Sequence, residues 1–182
     1  KSRLLLESLG GLDVSRETLK PLDFSEGKLA NIKARVFRIS FSGELSFEVS
    51  VPNQFGMEFW TKCLEAGARF GITPYGTEAL HVMRAEKGFI MIGDETDGTV
   101  IPQDLNLGWA ISKKKKDFIG KRAQERIFMN ASDRKTLVGL SLLNGSEKIP
   151  DGAQVILGSG TNMTENLLGH VSSTYFSPTL NR

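Results

Sequence analysis

Apolar residues recur along the chain with helical spacing in some stretches and with strict alternation in others. Leu4, Leu5, Leu6 and Leu9 precede Gly10-Gly11, the pattern of a short helix with a glycine stop. Over 33–41, Phe37, Ile39 and Phe41 share one face and Arg38 and Ser40 the other, predicting a strand. Ser42-Gly43-Glu44 reads as a turn. In the return strand 45–51, Leu45, Phe47, Val49 and Val51 point one way and Ser46, Glu48 and Ser50 the other. Pro52 closes this hairpin. Asn53 then caps a helix over 54–67, whose stripe is Phe55, Phe59 and Cys63, widened by Trp60 and Leu64. Thr77 caps a second helix over 77–86, buried through Leu80 and Met83 and ended by Gly88. Strands are expected at 89–92 and 107–111, and a helix at 118–129 behind Asp117.

Residues 130–134 are polar and read as a linker. Beyond them Thr136, Val138, Leu140 and Leu142 alternate with their neighbours. Pro150-Asp151-Gly152 is a turn, and 153–157 and 167–174 are strand patterns. The fold class expected is α+β: a ferredoxin-like sheet-and-helix domain over 1–130, followed over 135–182 by a truncated small β-barrel module that lacks its closing strand. The chain opens on a helix with no lead-in, so further sequence is expected upstream.

Composition narrows the function classes. The 182 residues carry 23 basic and 21 acidic side chains, a net charge of +2, which argues against nucleic-acid binding driven by overall field. There is neither a run of eighteen apolar residues nor a signal-peptide pattern, so a cytoplasmic protein is expected. Cys63 is the only cysteine; it forms no internal disulfide and reads as a small buried apolar residue. Asn-x-Ser/Thr triplets at Asn130, Asn144 and Asn162 are read as carrying no meaning without a secretion signal.

The polar candidates each admit two readings. Glu48 lies on the non-core face of its strand, across from Arg38 or Ser40. It is either an ordinary exposed glutamate or an acceptor for two N–H groups on the edge of a pterin-like ring. Arg84 and Glu86 flank a helix end, where Arg84 is a ligand contact or a structural tie to Glu86, Glu78 or Asp94. Trp109 stacks on a flat ligand or fills core. Lys113, Lys114, Lys115 and Lys116 form a solvated loop or a polyanion contact. His81 and His170 read as satisfied or surface histidines. Asp94, Glu95, Asp97 and Asp104 do not follow the spacing of a calcium loop and read as a surface acidic turn. No nucleotide-binding glycine loop occurs, and Gly158-x-Gly160 reads as a turn. No catalytic set emerges from these residues, and no metal site is expected.

Four segments together resemble the folate-binding aminomethyltransferase family, which contains the T-protein of the glycine cleavage system and its fused relatives. They are FSGELSFEVSVP at 41–52, RAEKG at 84–88, DFIGK at 117–121 and GHVSSTYFSPTL at 169–180. Their order and spacing agree along the whole chain. YGTEALHVMRAEKG at 75–88 is most similar to the oxidase branch, namely the C-terminal part of the alpha subunit of heterotetrameric sarcosine oxidases. Leu80 stands where T-protein has an arginine.

The resemblance implies tetrahydrofolate as ligand, with Glu48 on the pterin ring and Phe41 lining its pocket. Arg84, Glu86 and Trp109 are expected behind these, and on charge alone, not on the resemblance, Lys113, Lys114, Lys115 and Lys116 are expected to meet the folate tail. It implies capture of the one-carbon unit of oxidised sarcosine as 5,10-methylenetetrahydrofolate. The partners implied are the beta, gamma and delta subunits of the oxidase, with FAD/FMN and NAD bound in other parts of the parent enzyme. It assigns no catalytic residue to this chain. The family's first part, with an aspartate expected to assist at the folate nitrogen, is absent, so the isolated segment is expected to be inactive.

Overall fold

The computed structural model describes residues 1–143, 145, 147–158 and 167–182. Asn144, Gly160 and Asn162, three of the positions considered above, lie outside the described residues. The described chain is a mixed α and β fold in two compact units, 1–89 and 90–182.

The first unit opens with helix α1 (Ser2–Leu9), which ends at Gly10. Strands β1 (Phe24–Leu29), β2 (Ile32–Phe37) and β3 (Glu48–Ser50) form an antiparallel sheet in the order β1-β2-β3. Helix α2 (Gly56–Gly67) follows a 3-10 turn at Asn53–Phe55, and α3 is Thr77–Glu86. All three helices fall where the helical spacing predicts them. The core joins Leu6 of α1, Val14, Leu19, Leu29 of β1, Ile32, Ala34 and Val36 of β2, and Phe59 of α2. Cys63 packs against it half-buried, and burial pushes its thiol above the ordinary range.

The hairpin differs from the expected one. Its strands exist, but the β2–β3 ladder stops at Phe37↔Glu48, and residues 38–47 form a loop rather than a tight turn. The buried face of β2 is Ile32, Ala34 and Val36, the opposite parity from Phe37, Ile39 and Phe41. β1 has no counterpart in the sequence expectation. Its inward positions are Ser25, Gly27 and Leu29, while Phe24, Glu26 and Lys28 point outward. Gly27 lacks a side chain because Leu12 fills the space over it: a Cβ there would lie 2.5 Å from Leu12 Cδ1. Ala30 and Asn31 turn β1 into β2 with φ of 50° and 66°, the left-handed pair that matches strand twist.

Beyond α3, 89–92 and 107–111 are not strands. Ile92 forms a single bridge to Thr96, and Gly108–Ala110 is a 3-10 turn. The helix expected over 118–129 is reduced to α4 (Lys121–Gln124), preceded by Gly120 at φ 97° and followed by a 3-10 turn at Ile127–Asn130. Residues 136–142 form no strand. Val138 and Leu140 are exposed, because among the described residues no strand pairs with them. β4 (Gln154–Ile156) and β5 (Leu167–His170) pair antiparallel with a bulge at Val155/Ile156. The described residues form no closed barrel. Among them no helix is long and apolar enough to cross a membrane.

Candidate functional site

Glu48 begins β3. Its neighbour Val49 pairs with the buried Val36, which turns Glu48 to the outer face of the sheet, where it is exposed. Its partner across the ladder is Phe37, not Arg38 or Ser40. Phe37 in turn faces Phe24, and the two rings stack with centroids 5.5 Å apart and planes at 29°. One row across three strands is therefore aromatic, aromatic, carboxylate. The next row is Glu26, Arg35 and Ser50, with Arg35 Nε donating to Glu26 Oε1 at 2.5 Å, and the last is Lys28 opposite Lys33.

Contacts from α1 and α2 hold this face in place. Ser2 Oγ, on α1, donates to Leu45 O at 2.6 Å, and the Arg3 guanidinium lies 5.3 Å from the centre of the Phe47 ring. Arg3 also donates to the Val14 carbonyl. The segment leading into Glu48 is thus pinned from α1. Lys62 of α2 donates to Ala30 O at 3.1 Å and secures the β1–β2 turn.

The other sequence candidates of this unit are placed as follows. Phe41 is half-buried in the 38–47 loop, not on a strand. Around it the hydroxyls of Ser40, Ser42 and Ser46 lie 3.3–3.5 Å apart, with Ser42 buried. Lys87 pairs with Glu44 at 3.8 Å, so the structure brings together the 41–52 and 84–88 segments. Arg84 is 2% exposed and donates to Phe89 O at 3.2 Å, bracing the turn through Gly88, while Glu86 is exposed. His81 and Leu80 are half-buried on α3. An open hollow of about 470 Å³ beside α1 is lined by Leu4, Glu7, Ser8, Arg69 and Phe70, none of them a candidate above.

In the second unit Trp109 is 78% exposed, which removes the core reading. The lysines at 113–116 are all exposed. Two of the four acidic residues are not surface groups. Glu95 is buried and accepts from Met91 N at 2.7 Å, Ser172 Oγ at 3.0 Å and Ser173 Oγ at 2.6 Å. Asp104 is buried and accepts from Arg134 through both oxygens and from Ile101 N at 3.0 Å. The Arg134 hydrogen bond holds the Asp104 carboxyl below its ordinary range. Asp97 is also lowered, chiefly by the Thr99 hydroxyl that donates to it. His170 is exposed on β5. Among the described residues no group of three or more His, Cys, Asp or Glu could hold a metal ion.

Sequence reasoning missed Phe24 and the whole of β1. The signal available was Ala30-Asn31, an Asn in a two-residue connection ahead of the alternating Ile32, Ala34 and Val36.

Comparison with known proteins gives this arrangement a context. The family model described as the GCVT N-terminal domain matches residues 1–115. Sarcosine oxidase subunit alpha of a Corynebacterium species is 45% identical over 176 residues, covering 94% of this chain and 18% of that protein. The subunit of the same name from Rhizobium meliloti is 37% identical over 180 residues, covering 98% of this chain and 18% of that protein. An aminomethyltransferase of Chloroherpeton thalassium is 33% identical over 173 residues, covering 93% of this chain and 45% of that protein. The chain spans about a fifth of the length of these oxidase subunits. With more than half of its residues matched by the family model, the chain belongs to the GCVT N-terminal domain family.

Proposed function

We propose that this chain is the tetrahydrofolate-binding part of a sarcosine oxidase alpha subunit, serving capture of the one-carbon unit of oxidised sarcosine as 5,10-methylenetetrahydrofolate. The observation that carries the reading is the row Phe24, Phe37, Glu48 on the open face of the sheet. A flat bicyclic ring with N–H donors along one edge fits an aromatic surface flanked by a carboxylate. The identity to sarcosine oxidase alpha subunits, higher than to the aminomethyltransferase, supports the oxidase branch.

Tetrahydrofolate, when bound, supplies the two nitrogens that take up the one-carbon unit. Glu48 accepts from the pterin edge and fixes its rotation, and Phe37 offers the ring a flat apolar neighbour. Phe41 would line the pocket from the 38–47 loop. The Lys87–Glu44 pair holds the loop to the end of α3, and Arg84 braces the turn that follows α3. Glu86 and Trp109 would stand outside direct contact. The chain contributes positioning rather than redox chemistry. FAD/FMN, NAD and the beta, gamma and delta subunits belong to other parts of the proposed parent enzyme, which we place in the cytoplasm. Within this reading, residues 1–130 are the middle of the folate-binding domain, with a ferredoxin-like arrangement, and 135–182 belong to its C-terminal β-barrel module.

The test is Glu48→Gln in the complete enzyme. Loss of a charge-assisted acceptor should weaken tetrahydrofolate roughly ten- to a hundredfold while leaving sarcosine oxidation intact. Unchanged folate affinity would remove Glu48 from the site. A glycine-cleavage aminomethyltransferase is the second reading, favoured by the 33% identity to such an enzyme; Leu80 argues against it. Ammonia release dependent on a lipoyl protein would decide for that reading. A folate-binding or assembly module without turnover is the third, decided by tetrahydrofolate binding without any methylene product.

A further inference from the structure

We propose that residues 113–128 form a docking surface for another protein subunit, one that presents carboxylates around an apolar recess. The inference rests on the reading of this chain as part of a multi-subunit oxidase. Charge and exposure carry it. The segment holds seven of the 23 basic side chains and two of the 21 acidic ones, a net of +5 where the whole chain has +2. The rest of the chain is therefore net negative, and the basic charge is gathered here. The lysines at 113–116, Arg122 and Arg126 are all exposed, and among the described residues none of them forms an ion pair. Of the two acids, Asp117 is turned to its own backbone, accepting from the Phe118 amide at 2.9 Å.

Apolar side chains stand out from the same segment. Ile119 is fully exposed, and Ile127 and Phe128 are 86% and 82% exposed. One such residue on a surface is ordinary. Three within ten residues, among unpaired cations, match the apolar centre and charged rim of a protein interface. The backbone beneath them is fixed. Gly120, at φ 97°, turns the chain behind Ile119, and Lys121 Nζ donates to Lys116 O at 2.5 Å. Asn130 Nδ2 donates to Gln124 O at 2.8 Å and to Arg126 O at 3.1 Å, tying α4 to the 3-10 turn that carries Ile127 and Phe128. Arg134 Nη1 donates to Phe128 O at 3.0 Å. A surface held this way loses little freedom on binding.

The mixture selects the occupant. On charge alone a folate tail or a nucleic-acid backbone suits the lysines, but either leaves the three apolar side chains in water. A lipid surface takes a helix with one continuous apolar face. Here α4 is four residues long, and the apolar groups stand on the turns before and after it. A shaped protein face with acidic margins answers both the cations and the apolar groups.

The experiment treats the complete purified enzyme with a carbodiimide, which joins a lysine amine to a carboxylate in contact with it, and maps the products by mass spectrometry. Lys113 to Lys116 should be joined to Asp or Glu of a different subunit, less so as salt rises, a readout that needs no variant to fold. Sedimentation on dilution then follows assembly. Lys114→Glu/Lys115→Glu and Phe128→Ser should each weaken subunit association roughly tenfold. The lysine variant should lose much of the salt dependence of assembly, and the Phe128 variant should keep it. Products confined to the lysines' own polypeptide, or assembly unchanged in both variants, overturn the docking surface and leave the oxidase reading standing. Binding of phosphatidylserine vesicles or of oligothymidylate that is lost in the lysine variant, with assembly unchanged, assigns the surface to lipid or nucleic acid and also overturns it. An enzyme that purifies as one polypeptide overturns the oxidase reading and this surface together.

Discussion

Glu48 and Phe37 face each other across the β2–β3 ladder, on the side of the sheet opposite the buried Ile32, Ala34 and Val36. At about 5 Å between facing Cα atoms, one flat ligand reaches both side chains. Phe37→Leu keeps an apolar group but removes the aromatic surface. It should cost about 1 kcal/mol of pterin affinity, roughly fivefold, read as a change in tetrahydrofolate Kd, beside a loss of about 1 kcal/mol of stability from the Phe24 stack.

The opposite face predicts the reverse. Val36 is fully buried in the core of the first unit. Val36→Ala should destabilise that unit by about 2 kcal/mol, measured by urea unfolding, with ligand affinity affected only through the folded fraction. A Val36→Ala protein of wild-type stability would mean that the core is not centred on β2.

Gly11 tests the packing between α1 and β1. Its φ is 102°, and a Cβ would lie 2.2 Å from the Lys28 carbonyl oxygen, which accepts from Leu12 N at 2.8 Å. Gly11→Ala should destabilise by roughly 1–3 kcal/mol through backbone strain, whereas Gly10→Ala, also at positive φ but with open space around it, should cost less. Thermal unfolding of the two variants side by side checks the ordering.

Asp104 gives a pH dependence with a definite sign. Its carboxyl titrates below the ordinary value in the folded protein, chiefly because of the Arg134 hydrogen bond. A group of this kind stabilises fully above the unfolded carboxylate range, near about pH 4, and loses its contribution as pH falls through the folded value. Asp104→Asn should therefore destabilise at pH 7 and flatten the acid limb of the stability curve. The limb should not vanish, since Asp13 and Asp97 are lowered as well. Hydrogen exchange at the Leu137 amide, which donates to Asp104 O at 2.7 Å, reports the local opening. A limb as steep in Asp104→Asn as in wild type would exclude this pair as its source.

The helices were legible from their apolar spacing and from Gly10 and Gly88 at the ends of α1 and α3, whereas neither Asn53 nor Thr77 caps a helix: α2 begins behind Phe55 and α3 behind Gly76, with no side-chain cap hydrogen bond. Glu48 was legible because alternation with Val49 fixes its side of the sheet. β1 was hidden because its inward residues, Ser25 and Gly27, are polar or minimal, and the apolar group above them, Leu12, comes from another segment. The parity of β2 was misread for a related reason. Phe37 looks like core by composition, yet it spends its aromatic surface on Phe24, outside the core. Asp104 and Glu95 looked like surface acids because Arg134 and the Ser172–Ser173 pair that receive them lie 30 and more residues further on. Val138 and Leu140 show the converse: alternation marks a strand only where a partner strand exists to pair with it.

The Ala30-Asn31 turn has a consequence for how this surface can change. Successive residues of β2 serve opposite purposes, one row packing and the next facing outward. Point substitutions on the outward row can therefore alter ligand preference while leaving the core composition untouched. A single inserted residue in that turn is different. It would shift β1 by one position against β2, turning Phe24, Glu26 and Lys28 inward and Ser25, Gly27 and Leu29 outward. For this sheet, the length of a two-residue connection constrains which side chains face outward more tightly than the identity of any one of them.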